Sequence, residues 1–322
     1  MEALPEPADA RGATGILAVM TAKVTGIWSL DSITDARNPQ KEPPEGAAIM
    51  TAQAPIQASF PVRRMDFGFD DVSRYWFYND PFLTHFMSNL SSLFPQGEFF
   101  FVTSMRNVRD QIKDPAMQKE ISAFIGQEAM HSKEHKVFND FATAHGVDVD
   151  ALDRRIGKLL KFGHKILSHQ QQLAITCALE HFTATAAAHL MKRTDLNERM
   201  NNPTMRKLWL WHAIEESEHK SVCYNVYQRL YKDGYGTRAA AMVIAMALFM
   251  VVVTDQQVRL MTKDKQLFNG KSWVFGLRTL FGRKGFITQI LPELFDYFRP
   301  SFHPEDYDSD ALEQKYKAML AL

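Results

Sequence analysis

Residues 209–223 read Trp-Leu-Trp-His-Ala-Ile-Glu-Glu-Ser-Glu-His-Lys-Ser-Val-Cys, and their reading decides the fold. Within them, His212, Glu216 and His219 follow a His-x-x-x-Glu-x-x-His spacing. Intervals of four and three residues place all three side chains on one face of an α-helix, one turn above another. Two imidazoles and a carboxylate converging from one face can hold a metal ion, provided that other segments supply the rest of a site.

Working outward, Asn202-Pro203 opens this helix with a capping residue and a proline at the first helical position. The helix is expected to run to about Tyr231 and to stop at Asp233-Gly234. Asp80-Pro81 and Asp114-Pro115 are two more starts of the same kind. After the first, Pro95-Gln96-Gly97 is expected to interrupt, and Glu98 then begins an apolar stripe through Phe101, Val102 and Met105 toward Arg109. The second opens a helix carrying Ile121, Phe124, Ile125, Glu128, His131 and His135 at spacings of three and four, with Gly146 as its C-terminal stop. A connection over 147–168 holds a short basic helix, Leu152–Ile166, before a third long helix from about Gln170 to Arg193. That helix has Leu173, Cys177, Glu180, Ala184 and Ala187 on one face. No stretch reads as a strand, a repeat or a Gly-rich phosphate loop. The fold class is all-α.

The 322 residues are 46% hydrophobic and 23% charged, which is material for a large core. Lys+Arg and Asp+Glu both total 37, so the charge balance does not point to a nucleic-acid partner. Two cysteines, Cys177 and Cys223, form no paired motif, and a cytoplasmic setting is expected. The start lacks a basic segment and the run Ile16–Met20 is too short for a secretory signal, so export is not expected. Residues 1–55, rich in Ala, Pro, Gly and Thr, read as a flexible arm. Residues 56–80 read as a short extended segment over the core. The main helical domain covers 56–262, and 263–322 is an extension of surface helices packed on it.

Ala239–Val253 is an unbroken run of 15 apolar residues between Arg238 and Asp255. At ~1.5 Å per residue it spans roughly 22 Å, short of a ~30 Å hydrocarbon core. Such a helix is expected to be buried or to form a homodimer interface, with peripheral membrane contact through 239–253 as the second reading. The basic piece Gly276–Gly285, with Arg278, Arg283 and Lys284, could then approach anionic lipid.

Four long helices each place an acid on an apolar face: Glu98, Glu128, Glu180 and Glu216. Two of these begin a Glu-x-x-His, Glu128/His131 and Glu216/His219, and no other Glu-x-x-His occurs. A lone Glu from each of two helices and a Glu-x-x-His from each of two others is the ligand set of ferritin-like dimetal carboxylate bundles. The longest link between these helices, about 22 residues, falls between the second and third, where such bundles need their crossover. Four buried carboxylates would repel one another, whereas two divalent ions would neutralise them. The expected architecture is a ferritin-like four-helix bundle with additional C-terminal helices.

The motifs Pro95-x-Gly-Glu-Phe-Phe100, Gln127-Glu-x-x-His-x-x-x-His135, Leu179-Glu-His181 and Trp211-His-x-x-Glu-Glu-x-Glu-His-Lys220 resemble those of a bacterial family of predicted metal-dependent hydrolases, over roughly 60–260. The ligand order is also similar to that of ferritin-like diiron N-oxygenases that oxidise aryl amines, where a histidine one heptad before the last ligand histidine adds a seventh ligand. His212 holds that place. The resemblance implies Glu98, Glu128, His131, Glu180, His212, Glu216 and His219 as ligands, with Glu128 and Glu216 as bridging, catalytic carboxylates. His135 is either a further ligand or an outer partner. Glu215 and Glu218 are expected off the face, solvated or paired with Lys220 and Arg206, and His181 is expected to face away. Arg106 and Arg109 are candidates to pair with a ligand carboxylate or to form surface ion pairs. Cys177 and Cys223 read as small buried hydrophobes. Trp209, Trp211, Phe99 and Phe100 read as core, with pocket lining as the alternative.

Carboxylate-rich ligation suits iron or manganese. The leading expectation is a non-haem diiron oxygenase or oxidase with two Fe ions, Mn or Zn being the alternatives. It would activate O2 to oxidise a small or lipid-like hydrophobic substrate. No flavin or nicotinamide motif occurs, so an external electron donor is expected. The alternatives are a dimetal hydrolase using a metal-bound hydroxide and a non-catalytic metal-binding or membrane-associated protein.

Overall fold

The computed structural model describes residues 57–322. The expected arm over 1–55 lies outside them. The described chain is all-α, as the sequence predicts, with a single β-bridge between Phe77 and Met200 and no longer strand among the described residues.

The first helix, α1 (Pro81–Arg109), is capped by Asp80, whose side chain accepts from the Leu83 amide. It is not interrupted at Pro95-Gln96-Gly97 as expected. Pro95 lies buried inside it, and its carbonyl accepts from the Ser132 hydroxyl of the next helix at 3.0 Å. An interior proline removes one backbone bond. Here the helix is held by burial along both flanks, since α1 packs along α2 (Pro115–Ala144) and on α3 (Asp150–Ile166). Asp114 caps α2, and Gly146 just beyond its end takes the left-handed φ of 85° that favours glycine.

Helix α4 (His169–Lys192) starts at a Ser168/Gln171 capping box. The one-turn helix α5 (Thr194–Asn197) leads to α6 (Pro203–His219), capped by Asn202. The expected single helix to Tyr231 breaks at Lys220–Ser221 and resumes as α7 (Val222–Leu230). Both break residues keep right-handed helical angles, so the chain bends rather than reverses. Lys220 is drawn aside there, its Nζ donating to the Tyr307 carbonyl and to Ser309 Oγ. Helices α1, α2, α4 and α6 form a closed ring of neighbours: α1 against α2 and α4, and α6 against α4 and α2.

Helix α8 (Tyr235–Lys263) lies along α1 and α4 and contains the apolar run. It is long and apolar enough to cross a membrane. It is not buried as expected. One face packs inward through Ala241, Met242, Ala245 and Val253, while Val243, Ile244, Leu248 and Val251 are exposed. Helix α9 (Gly270–Phe281) packs on α1, and α10 (Phe286–Asp296) on α4 and α9. A short 3-10 turn at Pro304–Asp306 precedes α11 (Asp310–Leu320), which packs on α6. Residues 57–80 run without regular structure over the bundle, burying Phe60, Phe67, Phe69, Trp76 and Phe77.

Candidate metal centre

The ring of α1, α2, α4 and α6 brings all seven expected ligand residues together. Glu98 comes from α1, Glu128 and His131 from α2, Glu180 from α4, and His212, Glu216 and His219 from α6. None is more than 4% exposed. Three groupings have ligand atoms within 4.8 Å of one another: Glu98–His131–His212, Glu128–Glu180–His219 and Glu128–His131–Glu216. They define two foci side by side.

Two carboxylates reach both foci. Glu216 Oε1 lies 3.0 Å from His212 Nε2 and 3.6 Å from His131 Nδ1, while its Oε2 lies 3.7 Å from His219 Nε2. Glu128 Oε1 is 3.1 Å from His219 Nε2 and 3.8 Å from His131 Nδ1. Glu180 Oε2 approaches His219 Nε2 at 3.3 Å. The α-helical i, i+3 and i, i+4 intervals make this possible, because they stack His212, Glu216 and His219 on one face and Glu128 and His131 on another.

Both oxygens of Glu98, Glu128 and Glu180, Oε2 of Glu216 and Nε2 of His219 are buried with no hydrogen-bond partner among the described residues. Buried polar groups in a folded protein are ordinarily satisfied. A convergent set of orphaned carboxylate oxygens and imidazole nitrogens is what a pair of divalent cations would satisfy, so the residues fit such ions.

The charge state of the metal-free cluster points the same way. Burial, reinforced by the neighbouring carboxylates, holds Glu98 and Glu128 well above the usual carboxylate range. Burial likewise pushes Glu180 up to about 7. Burial also opposes charge on Glu216 and His219. Their mutual contact, with His212 beside Glu216 and Glu180 beside His219, outweighs it, so Glu216 stays low and His219 high. Burial and the nearby His212 push His131 well below the usual imidazole range. Without cations the pocket can carry little more than one ion pair.

An outer layer orients these groups, and sequence reasoning missed most of it. Glu215 and Glu218 are not solvated, and neither meets Lys220 or Arg206. Both are turned inward with Trp211, at i, i+4 and i+7 of one stripe, toward residues 57–80. Arg63 Nη1 donates to Glu215 at 3.1 Å, and its two terminal nitrogens grip Glu218 at 2.6 Å each. Glu215 Oε2 lies 3.1 Å from His131 Nε2. Glu218 also accepts from Gln127 Nε2 at 2.8 Å and from Lys317 at 2.7 Å. Gln127 in turn presents its side-chain oxygen to His219 Nδ1 at 3.0 Å. The His219 imidazole is thus backed on its far nitrogen by a fixed polar partner, the arrangement that sets tautomer and orientation at metal sites. His131 Nε2, by contrast, has Glu215 nearby without a hydrogen bond between them. The buried Trp211 four residues before Glu215 was the available signal, and Arg63 had none.

His135 stands behind His212. Its Nε2 is 2.8 Å from His212 Nδ1, and its Nδ1 is 2.9 Å from Ser91 Oγ, which donates to Asn139 Oδ1. It belongs to none of the three ligand groupings. His181 faces away, its Nε2 donating to the Glu293 carbonyl at 3.0 Å. Arg106 is exposed, and Arg109 donates to Gln118 and Ser122, so neither pairs with a cage carboxylate. Arg109 lies three turns, about 16 Å, beyond Glu98. Cys177 and Cys223 are buried, free and packed among apolar side chains. Of the four aromatics weighed as pocket lining, Trp209 alone lines a cavity against the cage. Trp211 and Phe100 are core, and Phe99 is exposed.

That cavity, of about 110 Å³, is walled by Phe86, Leu90, Phe94, Phe182 and Trp209 and reaches His212 and Glu216. Apart from those two ligand-type residues, its only side chains with polar atoms are the Trp209 indole and the hydroxyls of Thr183 and Thr279. The cavity is therefore almost wholly apolar where it meets the cage.

Compared with known proteins, residues 61–308 match a family model described as "Predicted metal-dependent hydrolase". No curated protein and no solved structure matches the chain. The match covers most of the chain and encloses every helix that lines the cage, so this protein belongs to the predicted metal-dependent hydrolase family.

Proposed function

We propose that the cage formed by Glu98, Glu128, His131, Glu180, His212, Glu216 and His219 holds two divalent metal ions, with Glu128 and Glu216 spanning them, and that the protein is a dimetal enzyme acting on an apolar substrate. One observation carries this reading: buried, unpartnered carboxylate oxygens from four helices converge with three imidazoles. When bound, such ions polarise a substrate bond and lower the pKa of coordinated water, which is hydrolytic chemistry. The family's description supports hydrolysis as the first reading.

The chain's own residues supply the rest. Phe86, Leu90, Phe182 and Trp209 bind an apolar group and exclude bulk water. Gln127 holds the His219 imidazole by its outer nitrogen, and Glu215 places a carboxylate oxygen 3.1 Å from that of His131. The His212–His135–Ser91 line gives His212 a fixed outer partner, and burial, with His212 and His131 beside it, keeps His135 neutral in that role.

A second reading, oxidation of the substrate with O2 by two iron ions and an external electron donor, is favoured by the apolar approach to the cage. The cavity offers few polar groups to receive a hydrolytic leaving group, and carboxylate-rich ligation suits iron or manganese. Metal analysis of protein purified anaerobically, followed by turnover assays with and without O2, decides between them. About two ions per chain are expected, bound as Zn or Mn with O2-independent turnover for hydrolysis. Two Fe with O2 consumption would replace that reading by the second. Protein that binds no metal would end both.

A further inference from the structure

The apolar cavity beside the cage adjoins a second one nearer the surface. Phe86, Leu90, Phe182, Ala186, Phe249 and Phe286 line both, the second being a cavity of about 580 Å³ between α8, α9 and α10. Phe182 and Phe249, their ring centroids 4.8 Å apart, form part of the wall that the two cavities share. The surface around the outer cavity is unusual for a protein exterior. Val243 and Met250 of α8, Leu277 and Phe281 of α9 and Leu291 and Phe295 of α10 line that cavity and are exposed. Ile244, Val251 and Val274 on the same helices and Phe268 between α8 and α9, 95% exposed, are open to solvent as well. Soluble surfaces scatter single apolar residues, but a contiguous patch marks an interaction site.

Charge selects the occupant. Residues 265–292 carry Lys265, Lys271, Arg278, Arg283 and Lys284 and no acid. Lys271 and Arg278 flank the exposed Val274 and Phe275 on α9. Aromatic and aliphatic side chains rimmed by cations match an anionic lipid surface. A second copy of the chain fits poorly, because a two-fold contact would set these like charges against each other and close the cavity mouth. Crossing the bilayer is excluded by what α8 packs on. Its Arg238 donates to the Tyr297 carbonyl at 2.6 Å, and Asn89 of α1 donates to the Val253 carbonyl at 2.8 Å, so one side of the helix is committed to the protein.

We propose that the α8–α10 face docks on an anionic bilayer, and that the two adjoining cavities, opening to each other as the Phe182 and Phe249 rings turn aside, lead the hydrocarbon chain of a membrane lipid to His212 and Glu216. The substrate class rests on the reading of the cage as a reaction site; the docking does not.

Flotation of the full chain with phosphatidylcholine vesicles, with and without phosphatidylglycerol, tests the docking. Strong binding to the anionic vesicles alone is expected. The pair Arg278→Gln and Lys284→Gln, both at exposed positions, should weaken it about 30-fold, given roughly fivefold per surface cation, and Val251→Asp should weaken it further. Equal or absent binding to both vesicle types overturns the docking. So does a dimer in solution that Val251→Asp dissociates. For the channel, parinaric acid, a fluorescent C18 fatty acid, should bind the chain and should be excluded by Ala186→Trp or the smaller Ala186→Leu, with vesicle binding retained. Parinarate binding that neither substitution reduces overturns the channel. Glu216→Ala, read for metal content, keeps the two questions apart: it should lose metal yet still float with anionic vesicles.

Discussion

At the centre of the bundle lie four carboxylates and three imidazoles, all buried. On the α8–α10 face lie Ile244, Val251, Phe268 and Phe281, all open to solvent. The two regions invert the usual partition of polar and apolar groups, and each inversion is costly for the chain by itself. Burying a carboxylate without a partner costs several kcal/mol, a cost that bound cations would remove. An exposed apolar face forgoes roughly 25 cal/mol for each Å² left in water, which contact with lipid would recover. The cage is defined by directional donors held at 3–4 Å, the face by area and charge alone. Substitutions should therefore act sharply in the first region and gradually in the second.

The sharpest break of this contrast is Glu216→Ala, which removes the carboxylate that faces both foci. Metal content should fall from about two ions per chain to one or none, with turnover lost, as read by elemental analysis; undiminished metal would show that the cage is not a dimetal site. Next comes Arg63→Ala, which strips Glu215 of its cation and leaves Glu218 with Lys317 alone, without touching a ligand-type residue. Breaking a buried ion pair costs about 3–5 kcal/mol, and loss of such outer support typically weakens metal affinity about 10–100-fold. Denaturation midpoint and metal titration would both register it, and an unchanged affinity would confine Arg63 to the fold.

Acidity sharpens the comparison further. In the metal-free protein Glu180 has a folded pKa of about 7, above its ordinary value, because of burial. The folded state then binds more protons than the unfolded state, so this contribution is fully present below about pH 4.5 and is lost as pH rises to about 7. Chelated protein should accordingly lose stability toward denaturant between about pH 4.5 and 7, and metal addition at pH 7 should release protons. A flat profile for the chelated protein would count against a cluster that needs cations.

Smaller effects belong to the docking side. A Cβ at Gly276 would sit 2.0 Å from Phe82 Cδ1, so Gly276→Ala must displace the Phe82 ring or part α9 from α1. Overpacking of this kind costs about 1–3 kcal/mol, measurable by urea denaturation, with the metal site unaffected. Val251→Asn, at an exposed site, should change stability by less than about 0.5 kcal/mol. A larger loss would mean that the face is covered in the isolated protein.

The helical starts and the two Glu-x-x-His pairs were legible because capping chemistry and 3.6-residue periodicity act within a few residues. Glu98, Glu128, Glu180 and Glu216 could be placed on apolar faces for the same reason. The run through Pro95 was not legible, because local propensity predicts a stop where tertiary burial sustains the helix. Arg63 was illegible for a different reason: it sits in an irregular segment, and its partnership with Glu218 spans 155 positions. The exposure of α8 escaped because an apolar sequence specifies a nonpolar neighbour without saying whether that neighbour is protein or lipid.

Glu218 is held from both ends of the described chain, by Arg63 ahead of the first helix and by Lys317 in the last. During synthesis the first arrives early and the second late. Full neutralisation of the carboxylate that steadies Gln127, and through it His219, therefore waits until α11 has emerged from the ribosome. The seven cage residues all precede that helix in the chain, so what arrives last is the support behind the cage and not the cage itself.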